Sequence, residues 1–244
     1  MGFQKEGFHI ATGMDINDPA VQNASYNLHW RFVEESPYEC RDITVTDAEE
    51  FKAAIDKNGC IVIGGPPCQA YSLAGRAKLK SLGSHRENTR DRRGYLFEDF
   101  LRMALDLDAR GVVMENVPEA ANYGGRNVPE IVCQTLEENG YLAIWTILNA
   151  ADFGVPQKRE RLILMAVKKE LADQIELPEP THHSSEPDLS NSAGRTRGFT
   201  RFPHFREPRS GDDSLPPWNT VKMALDDLPV LFYRSSAEVF AWTH

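Results

Sequence analysis

Cysteine is scarce and unpatterned: four residues, at positions 40, 60, 68 and 133, with no C-x-x-C pair among them. A zinc knot and a disulfide framework are therefore excluded as the organising device. Long hydrophobic runs are missing. None approaches the roughly 18 residues that a membrane span needs, and Met1 to His9 holds no apolar signal-peptide core. Positive charge is also short, with 27 Lys+Arg against 36 Asp+Glu and a formal net charge of -9. That excludes a uniformly basic nucleic-acid coat and leaves room for a local basic patch. No internal repeat is visible. What is present is 244 residues, 41% hydrophobic and 9% aromatic, enough for a sizeable core. The expectation is a soluble protein of a reducing compartment, one large domain or a domain plus a tail. In such a chain a special cysteine is reactive rather than structural.

Short apolar runs alternate with helical patterns through about residue 167. His9 to Ile16 reads as a strand ending in an acidic residue, and Pro19 to Leu28 as a helix with Asp18 as N-cap. Cys60-Ile61-Val62-Ile63 reads as a buried strand stopped by Gly64-Gly65-Pro66-Pro67. Apolar residues at Leu96, Phe97, Phe100, Leu101, Ala104 and Leu105 give Tyr95 to Leu107 a helical period. Gly111 to Met114 is a further strand, Val128 to Asn139 a helix closed by Gly140, and Tyr141 to Leu148 and Arg161 to Val167 two more strands. This alternation predicts an α/β fold with an open, mostly parallel sheet. The character changes after Leu177: seven of the 15 prolines fall in 178–217, with little periodicity. That stretch reads as a long loop or linker. A short helix, Thr220 to Leu228, follows it.

Three segments carry chemistry. In Gly64-Gly65-Pro66-Pro67-Cys68-Gln69 a buried strand ends, two glycines let a ligand approach the backbone, and two prolines fix the path into Cys68. Ligands of open α/β sheets sit beyond the carboxyl ends of strands, so Cys68 is placed for nucleophilic attack; a buried structural cysteine is the competing reading. Glu115-Asn116-Val117-Pro118 ends another buried strand. Its carboxylate can act as an acid if burial raises its pKa; otherwise it is a surface loop acid. The third segment runs from Asn149 to Arg161, where Gln157, Arg159 and Arg161 alternate onto one face. Arginine suits a phosphate or a ring carbonyl oxygen, and a solvated charged edge is the alternative.

Taken in this order, the three segments resemble the nucleophile, acid and arginine motifs of the DNA cytosine-5 methyltransferases, the last as Gln157-Lys158-Arg159-Glu160-Arg161. Asp91-Arg92-Arg93-Gly94-Tyr95-Leu96-Phe97 and Leu148-Asn149-Ala150-Ala151-Asp152-Phe153-Gly154 are similar to further family segments. The resemblance runs from about Gly2 to about Pro229. It implies a Rossmann-like fold dependent on S-adenosylmethionine, with Cys68 as nucleophile at carbon 6 of cytosine and Glu115 on ring nitrogen 3. Arg161 would contact the ring carbonyl oxygen and Arg159 would support the same pocket. The thiolate makes an enamine of the ring so that carbon 5 can accept a methyl group, and the base must first be flipped out of double-stranded DNA. For the cofactor the resemblance implies Asp15 on the ribose hydroxyls, Ile16 against adenine, Asp42 on its amino group with Ile43 next to it as a further cofactor-binding residue, and Pro67 near the methionine moiety. An N-cap for Asp15 and a turn acid for Asp42 are the competing readings. No metal is implied.

The family also opens with a strand and a Phe-x-Gly-x-Gly loop, and follows the core with a sequence-reading domain. Met1-Gly2-Phe3-Gln4-Lys5-Glu6-Gly7-Phe8 resembles the segment just after that loop, and 15 residues follow Pro229. The expected organisation is a catalytic core at 1–177, a Pro/Arg-rich loop or linker at 178–217, and the start of a target-recognition region at 218–244. Without the first strand its two neighbours should pair directly or expose their edges. Residues 70–94 hold seven Lys/Arg and two acids, a local +5, which suits a loop closing on phosphates. The DNA contacts expected there and beside it are Gln69, Ser72, Arg76, Arg92, Arg93 and Gln157. Residues 195–209 interleave arginine with Phe199, Phe202 and Phe205, a pattern that suits base stacking or a solvated linker. The expected function is cytosine-5 methylation of DNA by a bacterial or phage-encoded enzyme of the cytoplasm, of restriction or epigenetic type. The alternatives are an inactive fragment, one subunit of a split enzyme needing a complementing chain, or a tRNA cytosine-5 methyltransferase.

Overall fold

The computed structural model describes residues 2–29, 36–67, 95–184, 196 and 198–227. In chain order the elements are α1 (Gly2–Lys5), β1 (Gly13–Asp15), α2 (Asp18–Ala24), β2 (Tyr38–Cys40), α3 (Glu49–Lys52) and β3 (Ile61–Gly64). They continue with α4 (Leu96–Asp106), β4 (Gly111–Asn116), α5 (Val128–Glu138), β5 (Tyr141–Asn149), β6 (Glu160–Lys168) and α6 (Val221–Ala224). The N-cap of α2 is Asn17, whose side chain accepts from the Ala20 amide; Asp18 is the first helical residue, so the helix starts one position earlier than the sequence pattern suggested. A π-helical turn, Ser25–His29, continues α2.

The strands form two sheets. β1 and β2 pair in parallel, and the second sheet has the order β3-β4-β6-β5. β3 runs parallel to β4, whereas β6 is antiparallel to both β4 and β5. The expected parallel alternation thus holds for β1–β2 and β3–β4 and gives way at β6. The reason is the link from Asn149 to Glu160, a short turn from which the chain folds straight back along β5; a parallel return needs a crossover of a dozen or more residues.

The core lies between this sheet and the helices. Phe97, Phe100, Leu101 and Ala104 put one face of α4 against it, and Val128, Val132 and Leu136 do the same for α5. Val112 and Met114 of β4 and Leu162 and Leu164 of β6 are fully buried, as befits the two interior strands. β5 is last in the sheet order but is not bare. The Trp145 amide donates to the His204 carbonyl (3.0 Å) and the Arg206 amide donates to the Trp145 carbonyl (2.9 Å). Phe199, Phe202 and Phe205 all stack against the Trp145 ring, with centroids 4.8 to 6.3 Å away. The described part of 178–217 is therefore packed, not a free linker, and the phenylalanines that fit a base-stacking pattern are spent on the core.

β1 and β3 do not pair with each other. β3 ends its sheet with Ile61 38% and Ile63 51% exposed. Of the two outcomes expected for these neighbours, direct pairing is not seen, and among the described residues no strand pairs with the far side of either. α4 bridges the two sheets: Arg102 Nη2 donates to the Ile43 carbonyl at 2.7 Å, and Met103 packs with Phe51 and Met14.

Candidate active site

The carboxyl ends of the adjacent parallel strands β3 and β4 bring the first two chemical segments together. Asn116, 2% exposed, ties them: its side-chain amide donates to the Pro66 carbonyl at 3.2 Å while its oxygen accepts from the Val117 amide at 2.9 Å. The path that leads to Cys68 is thus fixed to the strand end that carries Glu115. Sequence reasoning placed Asn116 inside a motif but gave it no task. The available signal was an amide side chain at the end of a buried strand, where a polar group must find partners.

Glu115 faces β6. Arg161 Nε donates to Glu115 Oε1 at 2.7 Å, with side chains 25% and 48% exposed respectively. The Arg161 guanidinium is also turned by its own strand, Nη1 donating to the Glu160 carbonyl at 2.7 Å. Glu115 is therefore not the buried carboxyl that the sequence reading required for an acid; its setting is an ion pair at the rim of a cleft. The register explains the meeting. Glu115 opposes Ile163 across β4–β6, so Arg161 lies two residues along β6 on the same face as Ile163.

The glycines of the first segment have a nearer purpose than ligand approach. A Cβ on Gly64 would come within 2.5 Å of the Phe100 ring, and one on Gly65 within 3.2 Å of Glu115 Oε2. The bend needs glycine so that α4 and the Glu115 carboxylate can close on it.

The third segment is a turn wound around Asn149. Its side-chain oxygen accepts from the Ala151 and Arg159 amides at 3.2 and 3.1 Å. Gln157 and Arg159 are exposed there. Burial pushes the Asp152 carboxyl above its ordinary value, partly offset by the Trp218 indole that donates to it at 2.9 Å.

Cys68, Gln69, Ser72, Arg76, Arg92 and Arg93 lie outside the described residues, as does all of 70–94. Among the described cysteines, burial raises the Cys60 and Cys133 thiols, which keeps them protonated and poor nucleophiles. Cys40 is exposed and its thiol donates to the Ile16 carbonyl.

The residues expected at the cofactor sit at the ends of the other parallel pair. Asp15 closes β1 in register with Cys40, two residues before Asp42. Asp15 Oδ1 accepts from the Asn17 amide at 2.8 Å, and its side chain is exposed rather than acting as the helix cap. Ile16 beside it is 69% exposed, an apolar surface in the open. Asp42 is a turn acid, Oδ1 accepting from the Thr44 amide and hydroxyl at 2.9 and 2.8 Å. Ile43 turns inward and packs on both core clusters, and Pro67 is exposed just past β3. Among the described residues no cluster of His, Cys, Asp and Glu could hold a metal ion.

The family model for C-5 cytosine-specific DNA methylase matches residues 1–208. A protein named type II methyltransferase M.OihORF3336P, from Oceanobacillus iheyensis, is 50% identical over 236 residues, 95% of this chain and 51% of the relative. Type II methyltransferase M.AquIA of Picosynechococcus is 30% identical over 240 residues, 94% of this chain and 84% of the relative. The chain spans about half the length of the first of these (51%), and likewise of type II methyltransferase M1.HphI of Haemophilus parahaemolyticus (52%). The fold is also that of a prophage DNA modification methyltransferase of E. coli, with TM-score 0.58 at 22% identity over 92% of this chain and 50% of that one. By family model and by relatives, the chain belongs to the C-5 cytosine-specific DNA methylases.

Proposed function

We propose that the chain carries the catalytic core of a DNA cytosine-5 methyltransferase of the restriction-modification type, with double-stranded DNA as substrate and S-adenosylmethionine as cofactor. The observation that supports this best is the Glu115–Arg161 pair, 2.7 Å apart, on a strand end tied through Asn116 to the segment leading to Cys68. A carboxyl group and a guanidinium set side by side match a ring that offers adjacent nitrogen and carbonyl oxygen atoms.

In this reading the base is flipped out of the duplex. Cys68 adds its thiolate to carbon 6, forming the S–C6 bond and pushing the ring electrons toward carbon 5. Glu115 holds a proton at ring nitrogen 3 and so draws electrons from carbon 6. Arg161, supported by Arg159, holds the carbonyl oxygen. S-adenosylmethionine supplies an electrophilic methyl group.

The cofactor residues fit in their chemistry. The exposed Asp15 carboxylate would accept from ribose hydroxyls, and exposed Ile16 would cover an adenine face. Asp42, whose carboxylate accepts from the Thr44 amide and hydroxyl, would stand at the adenine amino group. Ile43 would back that pocket from the core, and Pro67 would border the methionine end.

That neither β1 nor β3 has a strand on its far side among the described residues supports a second element of the reading. In the working enzyme a further strand lies between them, supplied by the same polypeptide or by a complementing chain. No helix among the described residues is long and apolar enough to cross a membrane, in keeping with a cytoplasmic site of action.

The test is transfer of labelled methyl groups to duplex DNA and to tRNA. The chain would be assayed alone and fused to an upstream strand with its glycine loop plus a downstream recognition segment. Label on DNA cytosine carbon 5 is expected in the fused form. Label on tRNA alone, or none in any form, would overturn the reading.

A further inference from the structure

Two stretches, Thr181 to His183 and Pro216 to Asn219, lie on the turn that precedes β6 and grip it at several points. The Thr181 and His182 amides donate to the Asp152 carbonyl at 2.8 and 3.0 Å. Trp218 Nε1 donates to Asp152 Oδ1 at 2.9 Å, and Asn219 Nδ2 donates to the Gly154 carbonyl at 2.7 Å. The Lys158 ammonium stands 5.5 Å over the Trp218 ring. His183 and Trp218 are tied in turn, the Trp218 amide donating to the His183 carbonyl and the His183 amide to the Pro216 carbonyl, both at 2.9 Å. Gly154 adopts φ 83°, and a Cβ there would strike the His182 ring at 2.7 Å, so the fit allows no side chain. Two residues past Trp218, Thr220 caps α6.

We propose that Trp218 is a positioning residue for the arginine-bearing turn. Its indole N–H on Asp152 and its ring under Lys158 lock residues 150–159 to the chain segment that continues at Thr220. A displacement of that segment is then felt at Arg159, whose amide and carbonyl close the same turn on Asn149 and Ala150. The importance of this lock for a base pocket rests on the methyltransferase reading; the lock itself does not. The donor also acts on a group in an unfavourable setting. Asp152 is desolvated and faces Glu160, both of which raise its pKa, and Trp218 is the contact that favours its charged form. The other ionisable groups around the turn are Lys158, Arg159 and His182.

The test is amide hydrogen exchange and carboxyl titration by NMR on the full 244-residue chain. Trp218→Phe keeps a ring for Lys158 and removes the donor. Exchange at the Val155 and Arg159 amides should then rise on the order of tenfold, as expected for loss of a hydrogen bond to a charged group. The Leu164 amide in the β-ladder should be unmoved, and Asp152 should titrate at a higher pH than in the parent. Asp152→Ala should reproduce the exchange change. Asp152→Asn, which still offers an oxygen to the indole, should restore parent behaviour. Equal acceleration at Val155, Arg159 and Leu164, an unshifted Asp152 titration, or an Asn variant indistinguishable from the Ala variant would each overturn the proposal. Should the tryptophan variant fail to fold, the Ala and Asn variants at 152 decide it. A parent chain that transfers no methyl group bears on the functional reading alone, because neither readout depends on activity.

Discussion

Glu115 and Arg161 are held by an ion pair, and Asn116 by two partly buried hydrogen bonds, and these bonds dictate what each variant should do. Glu115→Gln removes the carboxyl proposed as proton donor but keeps the shape. Methyl transfer should fall by about 10²–10⁴-fold with DNA binding retained; an equal loss of both would point to collapse of the pocket. Asn116→Ala leaves the Pro66 carbonyl and the Val117 amide without their side-chain partner. That should cost about 1–3 kcal/mol, read from the urea midpoint at unchanged slope. Asp152 gives a pH signature. Its folded pKa lies above the ordinary 3.8, so the folded chain binds the proton more tightly than the unfolded one. Its contribution to stability falls as pH rises from 3.8 through the folded value. Asp152→Asn lacks this contribution, so its stability relative to the parent should climb over that window in urea titrations at stepped pH; a flat difference would contradict the assignment. At this scale the sequence was informative where chemistry is tied to residue type. A carboxylate and an arginine pattern at strand ends were visible without coordinates. The role of Asn116 was not, because it arises only when β3 and β4 lie side by side. Nor was the true setting of Glu115, because partial exposure depends on what packs around the strand end.

The elements show where local pattern suffices and where long-range packing takes over. α4 and α5 were legible from their apolar period, since one face of each is buried on the sheet. The direction of β6 was not, because hydrophobic runs look alike in parallel and antiparallel strands. The fate of Phe199, Phe202 and Phe205 was hidden for a related reason. Aromatics spaced along a basic stretch suit either a stack of bases or a partner ring, and here the partner is Trp145, more than fifty positions upstream. Deleting such a ring has a definite consequence. Phe205→Ala should destabilise the chain by about 3–5 kcal/mol in chemical denaturation. A change under about 0.5 kcal/mol, the range of an ordinary surface site, would mean that the segment does not pack on β5.

At the scale of the whole molecule, β1 and β3 have no strand on their far sides among the described residues, and Ile61 and Ile63 of β3 are exposed. An exposed apolar edge invites another strand. A strand placed there should raise the melting temperature and tighten S-adenosylmethionine binding together, which differential scanning and titration calorimetry would read. Tight binding by the 244-residue chain without it would show that β1 and β2 suffice. The central claim concerns the chemistry rather than the edges, and covalent trapping addresses it most directly. The strand-complemented form would be incubated with S-adenosylmethionine and duplex DNA carrying 5-fluorocytosine at the target base, then digested for mass spectrometry. The account predicts a stable protein–DNA adduct through the sulfur of Cys68 that is abolished in Cys68→Ala, while the variant keeps its fold. An adduct that survives Cys68→Ala, or undiminished methylation by that variant, would contradict it.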